Sequence, residues 1–432
     1  MTYQSWGQYP HVKQSVEHLF WRTDPFPEAS SVLPFGQGRS YGDVNLNDGG
    51  TVVSTQLLNR FISFDTTTGI LRAESGVTVA DILQLVIPHG WFMPVSSGTK
   101  FVSLGGVIAN DVHGKNHHRV GSFGCHVTQF ELLRSDNTRL ICSQTEHPDY
   151  YRATIGGLGL TGIITWAEIQ LTKIPSLYLD SETIKVGSLE EFVELSRSSD
   201  TSHEHTVGWI DMSVSGKQLG RGLFMRANWA KESGKDMGDV YRAPKFTMPV
   251  NAPNWLISLP VIKAFNLAYY HKQLSPKASK QVHYDPFFYP LDVLQYWNRL
   301  YGSRGFQSFQ AVIPHDQGVA AIRTILETVH KRGLTSPLTV LKIFGEKASP
   351  GMMSFSAPGL NILFDFPNVP GLNDLLEELD TIVINAGGKV NPAKDAHMSA
   401  KAFQTFYPRW QEFQQYIDPK ISSSFWRRVT KN

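Results

Sequence analysis

The stretch FVSLGGVIANDVHGKNHHRVGSFG, residues 101–124, constrains this chain more than any other, because it sets repeated glycines, three histidines and a lysine beside a short apolar run. Glycine costs conformational entropy wherever its freedom is unused, so this density predicts main chain turned through φ > 0 or brought close to a bulky, anionic ligand. The segment LPFGQGRSYGDVNLND, residues 33–48, repeats the theme, with Gly36, Gly38 and Gly42 in a turn after an apolar stretch and Arg39 and Ser40 between them. It reads as a phosphate cradle. It is not the dinucleotide fingerprint of doubly wound folds, because the third glycine falls one residue late for G-x-G-x-x-G and no βαβ pattern follows. Either loop alone would suit a surface turn; two in one chain point to one ligand held by both.

With 432 residues, 41% of them hydrophobic, the chain can bury a large core and is expected to form two domains. A net charge of +2, with no basic run interleaved with aromatics, argues against nucleic acid as a partner. Cys125 and Cys142 are its two cysteines, too few for a disulfide framework or zinc cage, and they suggest a reducing compartment. The opening MTYQSWGQYPHVKQ lacks the basic and apolar regions of a signal peptide, and no run of about eighteen apolar residues marks a membrane span. The expected location is cytoplasmic, with room for peripheral contact at the inner membrane face.

Along the chain, Thr78 and Asp81 read as an N-terminal cap, followed by Ile82, Leu85 and Val86 at helical spacing and a stop at Pro88 and Gly90. GGLGLTGIITWAEIQL, from residue 156, runs from a glycine-rich turn into a β-rich segment, and a boundary is placed near Ile174. From about 178 to 388, β-rich runs at 309–314 and 338–344 alternate with helices predicted at 319–332 and 372–386, a pattern that fits an α+β domain on an antiparallel sheet.

Four motifs together carry a resemblance that spans most of the chain: GQGRSYGD (36–43), the extended run SSGTKFVSLGGVIANDVHGKNHHRVGSFG (96–124), GGLGLTGI (156–163) and AKD (393–395). The chain resembles flavoenzymes of the vanillyl-alcohol-oxidase superfamily, and within it the oxidases of polyprenyl-phosphate pentoses; HGKNHH followed by GSFG is the most specific part. The resemblance implies a two-domain α+β architecture, a PCMH-type FAD-binding fold with an inserted antiparallel-sheet substrate cap. Residues 1–177 would form the FAD-binding domain, 178–388 the cap, and 389–432 a carboxyl-terminal return to the FAD-binding domain.

The implied cofactor is FAD, whose two phosphates need a nest of successive N–H groups. Gly36, Gln37, Gly38, Arg39, Ser40 and Tyr41 would supply it, with Arg39 adding charge. Thr99, Ser103, Gly105, Gly106 and Ala109 would place small residues and free amides against the cofactor at a helix start. His113, Gly114, Asn116, His117, Ser122 and Gly124 would wall it, with Gly162, Ile163, Ala393 and Lys394 completing the site. Many relatives bond the flavin covalently through a histidine at the position of Arg39. A guanidinium is a poor nucleophile, so FAD is expected to be non-covalent.

Oxidising a secondary alcohol requires a hydride acceptor and a base within hydrogen-bond reach of the hydroxyl. By resemblance, Lys394 lies between flavin and sugar, as base or as a cation stabilising reduced flavin. His113, with an ordinary pKa of about 6.5, reads equally as a base or as a hydrogen-bonding member of the flavin loop. Lys115 reads as a phosphate or substrate contact, and Tyr41 as packing along sugar or ring. His117 and His118 read as structural, and without a well-spaced carboxylate the histidines do not make a metal site. In TVLKIFG, strand alternation turns Lys342 and Val340 to one face. The resemblance makes Lys342 and Phe344 pocket residues, with Ser308, Gln310 and Asn361 on neighbouring strands. Two departures stand out: the family's reactive pocket cysteine aligns with Leu363, and an aromatic before AKD becomes Asn391.

Residues 252–272, apolar, aromatic and interrupted by Pro260, read either as an ordinary buried hairpin of the cap or as a lid or membrane-touching segment. The implied activity is FAD-dependent oxidation of the C2 hydroxyl of a polyprenyl-phosphate pentose, with a lipid-linked sugar as substrate and a separate NAD(P)H-dependent short-chain reductase completing an epimerisation. Its rivals are a sugar-alcohol or aldonolactone oxidase using oxygen, and a flavin-carrying protein without turnover.

Overall fold

Three larger sheets organise the protein, whose computed structural model describes residues 3–231, 240 and 243–431. Near the amino terminus, β1 (Ser15–His18), β2 (Val32–Phe35) and β3 (Thr51–Ser54) form a parallel sheet in the order β1-β3-β2. The run VLPF is apolar throughout and TVVS is apolar at its centre, matching strands β2 and β3 whose residues are almost all buried. Next come β4 (Phe61–Asp65), β5 (Ile70–Glu74), β6 (Val127–Leu133), β7 (Arg139–Ser143) and β8 (Ile163–Gln170), an antiparallel sheet in the order β4-β5-β8-β6-β7. The helix Val79–Val86 buries Ile82, Leu83 and Val86 in a core shared with Leu71, Phe130, Ala167 and Ile169. It begins at the expected capping box: the Asp81 N–H donates to the Thr78 hydroxyl (3.2 Å), and the Thr78 N–H to the Asp81 carboxylate (3.1 Å). A 3-10 turn and Gly90, at φ 79°, end it.

The third sheet is antiparallel and has eight strands: β9 (Tyr178–Val186), β10 (His205–Ile210), β11 (Gly222–Trp229), β12 (Lys277–His283), β13 (Phe306–Ile313), β14 (Thr339–Phe344), β15 (Gly359–Pro367) and β16 (Lys389–Val390). Their order is β12-β9-β11-β10-β14-β15-β13-β16. Helices Leu189–Ser199, His315–Lys331 and Leu372–Asn385 cover one face, where Phe192, Ile322, Leu326 and Leu376 meet Phe309, Leu341, Ile343, Ile362 and Phe364. Each such side chain contributes about 1.5–3 kcal/mol on burial. Because strand side chains alternate, the residues between them, including Ser308, Gln310, Lys342, Asn361 and Asp365, belong to the opposite face.

After β16 the chain returns to the amino-terminal sheet. Ile421 bridges Val32, and Phe403, Phe425 and Trp426 enter the core that also holds Val32 and Val52. A buried ionic network anchors this return. Arg428 reaches Asp43 (2.7 Å) and Asp395 (2.8 Å), while His397 lies between Asp395 (2.9 Å) and Asp380 (3.2 Å). Burial opposes charge on His397, but the two carboxylates outweigh it and push its pKa up to about 10. Arg428 and His397 in turn hold the Asp395 carboxyl well below the usual carboxylate range despite burial.

Residues 252–272 do not form a buried hairpin. The segment Asn254–Ile257 is a 3-10 turn, and Leu259–His271 is a helix burying Ile262 and Asn266 and exposing Phe265 and Leu267. Pro260 stands in its first turn, where a missing N–H costs nothing, so it starts the helix and does not break the segment.

Removing one member of a buried ion pair leaves its partner's charge uncompensated, at a cost of about 3–5 kcal/mol. Arg428→Met is therefore expected to lower unfolding stability by about 3 kcal/mol, read from the denaturant midpoint. His397 has a raised folded-state pKa, so its contribution is complete below about pH 6.5 and is lost as pH rises towards about 10. A His397→Gln variant should show a flatter loss of melting temperature across that window.

Candidate active site

Loop 36–42 and the AKD turn are pressed together beneath the polar face of the large sheet. The Tyr41 N–H donates to the Ala393 carbonyl (2.9 Å), and a Cβ on Gly42 would overlap the Asp395 carbonyl oxygen. A side chain at position 42 would force the loops apart. Asn391 caps the 3-10 turn Pro392–Lys394 by accepting the Ala393 N–H (3.0 Å), and the Lys394 ammonium nitrogen lies 3.2 Å from the centre of the Tyr41 ring. Tyr41 packs edge-on against Phe306 and near Trp297.

The sheet register assembles the opposite wall: Lys342 pairs with Asn361, Gln310 with Leu363, and Ser308 with Asp365. Gln310 is its hub. Its Nε2 donates to Asn361 Oδ1 (2.7 Å) and lies 2.8 Å from His113 Nε2, while its Oε1 accepts from Asn391 Nδ2 (2.9 Å). Lys342 Nζ stands 3.3 Å from His113 Nδ1. The two donors facing the imidazole leave no acceptor for an added proton. Burial first, then the Lys342, His117 and Lys394 charges, hold the His113 pKa well below its ordinary value, so the ordinary basicity read from the sequence is absent. The His117 ring stacks on Phe344 (4.1 Å), and burial then Lys342 push its pKa down to about 3. Burial alone lowers Lys342 to about 8.

One pocket group was not anticipated. Asp365 is fully buried, and neither carboxylate oxygen has a hydrogen-bond partner among the described residues. Burial raises its pKa and Lys394 opposes that; burial lowers the Lys394 pKa and Asp365 opposes that. The signal was available in GLNILFDF, where the alternation that turns Asn361 and Leu363 inward also turns Asp365 inward.

The loops expected to meet a flavin nucleotide offer it matching donors. No main-chain N–H of Gln37, Gly38, Arg39 or Ser40 finds an acceptor among the described residues. Gly38 has φ 63°, and a Cβ on Gly36 would overlap the Ser103 hydroxyl. Such a run of free amides suits phosphate oxygens. Ser103 occupies the N-cap position of the short helix Leu104–Ala109, in which Gly105 lies against Ser75 and Gly106 against the Ser103 hydroxyl; the buried Ser75 hydroxyl and both His117 nitrogens find no hydrogen-bond partner among the described residues. Arg39 stacks over the Trp6 ring (4.1 Å) and donates to the Phe101 carbonyl (3.1 Å), linking the first loop to the irregular segment that follows Thr99. Lys115 donates to the carbonyls of Phe287 (2.8 Å) and Phe288 (3.0 Å), joining its loop to the cap. Gly114 lies against Ser96 and Asn116, and Gly124 donates its N–H to Asp111 (2.7 Å) beside buried Ser122. Gly162 packs on Leu132, and Ile163 is part of the apolar core. Among the described residues no cluster of His, Cys, Asp or Glu has the arrangement of a metal site.

The fold and these donors define an FAD-dependent oxidoreductase, and the FAD binding domain family matches residues 28–143. The chain is 35% identical over 399 residues to decaprenylphosphoryl-beta-D-ribose oxidase of Mycolicibacterium smegmatis, covering 90% of this chain and 86% of that protein. It belongs to the decaprenylphosphoryl-β-D-ribose oxidase family, within the vanillyl-alcohol-oxidase-type superfamily. More distant similarity, 26% over 44% of this chain and 37% of the relative, extends to cytokinin dehydrogenase 6 of Oryza sativa subsp. japonica. L-gulonolactone oxidase of Bos taurus is 27% identical over 38% of this chain and 36% of its own length.

His113 is expected to be neutral in nitrogen-edited NMR spectra at about pH 6.5, where an ordinary imidazole is half protonated. Lys342→Met, which removes the cation beside it, should raise its pKa towards the ordinary value.

Proposed function

We propose that this chain oxidises the C2 hydroxyl of a polyprenyl-phosphate-linked pentose, the first half of a 2′-epimerisation. The observation that carries the reading is Lys394, packed on Tyr41 and paired electrostatically with the buried Asp365, facing a wall of Gln310, Asn361 and Lys342. Bound non-covalently along loops 36–42, 99–106 and 113–117, FAD supplies the hydride acceptor at flavin N5.

The chain's own residues do the rest. Lys394 in its neutral form accepts the hydroxyl proton as hydride leaves the carbon. Burial makes that form accessible near neutrality, and Asp365 limits how far the pKa falls. Lys342, Asn361, Ser308 and Gln310 orient the sugar and its phosphate, with Gln310 fixed by Asn391, Asn361 and His113. Phe344 and Leu363 close the pocket with apolar surface, and a leucine at position 363 leaves no thiol there for a covalent inhibitor. His113 acts by holding Gln310, and Lys115 by fixing the cap at Phe287 and Phe288. The keto sugar passes to a separate nicotinamide-dependent short-chain reductase, and the polyprenyl tail requires peripheral contact with a membrane. Among the described residues no helix is long and apolar enough to cross one.

Anaerobic titration with farnesylphosphoryl-ribose should bleach the bound flavin, whereas turnover of soluble polyols with hydrogen peroxide release would favour a sugar-alcohol or lactone oxidase instead. Lys394→Met should retain FAD yet slow reduction by about 10²–10⁴-fold, the scale of lost general-base catalysis; loss of FAD would make this lysine structural. The reduction rate should fall as pH drops through the Lys394 pKa. Removing the negative neighbour in Asp365→Asn lowers that pKa further, so this acid limb should move to lower pH in stopped-flow profiles.

A further inference from the structure

Eight of the thirteen exposed large apolar side chains among the described residues fall between residues 246 and 296: Phe246, Val250, Trp255, Phe265, Leu267, Leu274, Val293 and Tyr296. A soluble surface does not gather such groups without use. The first part of this region is one-signed. From residue 243 to 284 the sequence has five lysines and no aspartate or glutamate. Lys277 is paired with Glu182, but Lys245, Lys263 and Lys280 make no ion pair among the described residues, and Lys272 lies over the Tyr269 ring. On the helix Leu259–His271, Ile262 and Asn266 face the protein, which leaves Phe265, Leu267, Lys263 and Lys272 on the outward arc.

The surface is continuous with the active site. Phe246 and Thr247 pair with Leu294 and Gln295, and Arg299 holds the carbonyls of Met248 (2.8 Å) and Pro249 (2.7 Å), so the exposed residues of both segments form one patch. Just beyond Tyr296, the Trp297 ring lies 6.5 Å from Tyr41, the ring under Lys394. Beneath the helix a cavity of about 170 Å³ is lined by Ile257, Leu259, Ile262, Tyr301 and Leu334. Tyr301 stacks on Phe306 (4.3 Å), which itself touches Tyr41. A chain of packed aromatic rings therefore links the patch to Tyr41.

We infer that residues 245–280, together with Val293 and Tyr296, form a face that docks on an anionic lipid bilayer and opens the active site towards it. Lysines meet lipid headgroups while Trp255, Phe265 and Leu267 enter the interface, the two contributions that hold monotopic proteins on membranes. The inference rests on the reading of a lipid-linked substrate: the sugar phosphate reaches Lys394 while its tail stays in the bilayer, passing along Trp297 and Tyr301.

The test is co-sedimentation of the full-length, FAD-loaded protein with phosphatidylcholine vesicles, with and without about a third phosphatidylglycerol. Binding is expected to need the anionic lipid, to weaken with salt, and to fall about tenfold in F265S/L267S and in K263E/K272E. Both variants should keep wild-type flavin content and wild-type flavin reduction by farnesylphosphoryl-ribose in solution, and lose turnover with a long-chain substrate embedded in vesicles. Vesicle binding equal to wild type in both variants overturns the inference, as does a wild type that ignores anionic vesicles. So does a dimer in light scattering that the substitutions split into monomers, which would make the face a contact between copies of this chain. Failure of the soluble substrate to reduce wild-type flavin would instead remove the proposed activity, while the vesicle result would still judge the face.

Discussion

The buried contact of Asp395 with His397 and Arg428 is the constraint on which the active site depends. Asp395 follows Lys394 directly, accepts the main-chain N–H groups of His397 (3.2 Å) and Met398 (2.9 Å), and is neutralised by two cations from later in the chain. Arg428 spends its other nitrogens on Asp43, at the end of the first glycine loop, and on the Met398 carbonyl (2.5 Å). One guanidinium thus joins the segment bearing Tyr41 to the segment bearing Lys394. An isolated charge at such depth would be prohibitively costly, so the network forms as a whole, and with it the spacing between the two loops.

Above that anchor the site concentrates positive charge. Lys115, Lys342 and Lys394 are all half-buried, and desolvation lowers the pKa of each. Protonating His113 or His117 as well would add charge to a pocket already short of anions, and both are driven neutral. Asp365 is a carboxylate facing this cluster, and its charge opposes the lowering of the Lys394 pKa by burial. A cationic, partly desolvated pocket of this kind suits a phosphorylated sugar and the flavin nucleotide together.

Much of this was legible in local sequence. The capping box at Thr78 and Asp81, the helices in the cap and the strands carrying Gln310 and Lys342 follow from spacing, because a side chain's face is set by period 3.6 or 2. The glycine loops announced close main-chain approach, and the structure uses Gly36 and Gly42 that way. The resemblance to a known family supplied the rest of the anticipated site. Asp365 escaped although the alternation that exposed Asn361 and Leu363 continues through it. Asn391 looked like a lost aromatic and proves to be both the cap of the AKD turn and a donor to Gln310. Residues 252–272 misled because an apolar run bears no mark of whether protein or solvent covers it.

By itself the sequence determined the parts: a glycine-rich main chain suited to FAD, an antiparallel cap with one polar face, and the lysines and histidines available for chemistry. Only the tertiary structure decided their work. It made His113 a fixed hydrogen-bonding partner of Gln310, tied Lys115 to the cap, placed Lys394 between Tyr41 and Asp365, and left the helix Leu259–His271 outside the core. The reason is physical: backbone period and glycine freedom act over a few residues, whereas burial, charge and hydrogen-bond satisfaction depend on neighbours as far apart in sequence as Arg428 and Asp43, 385 positions.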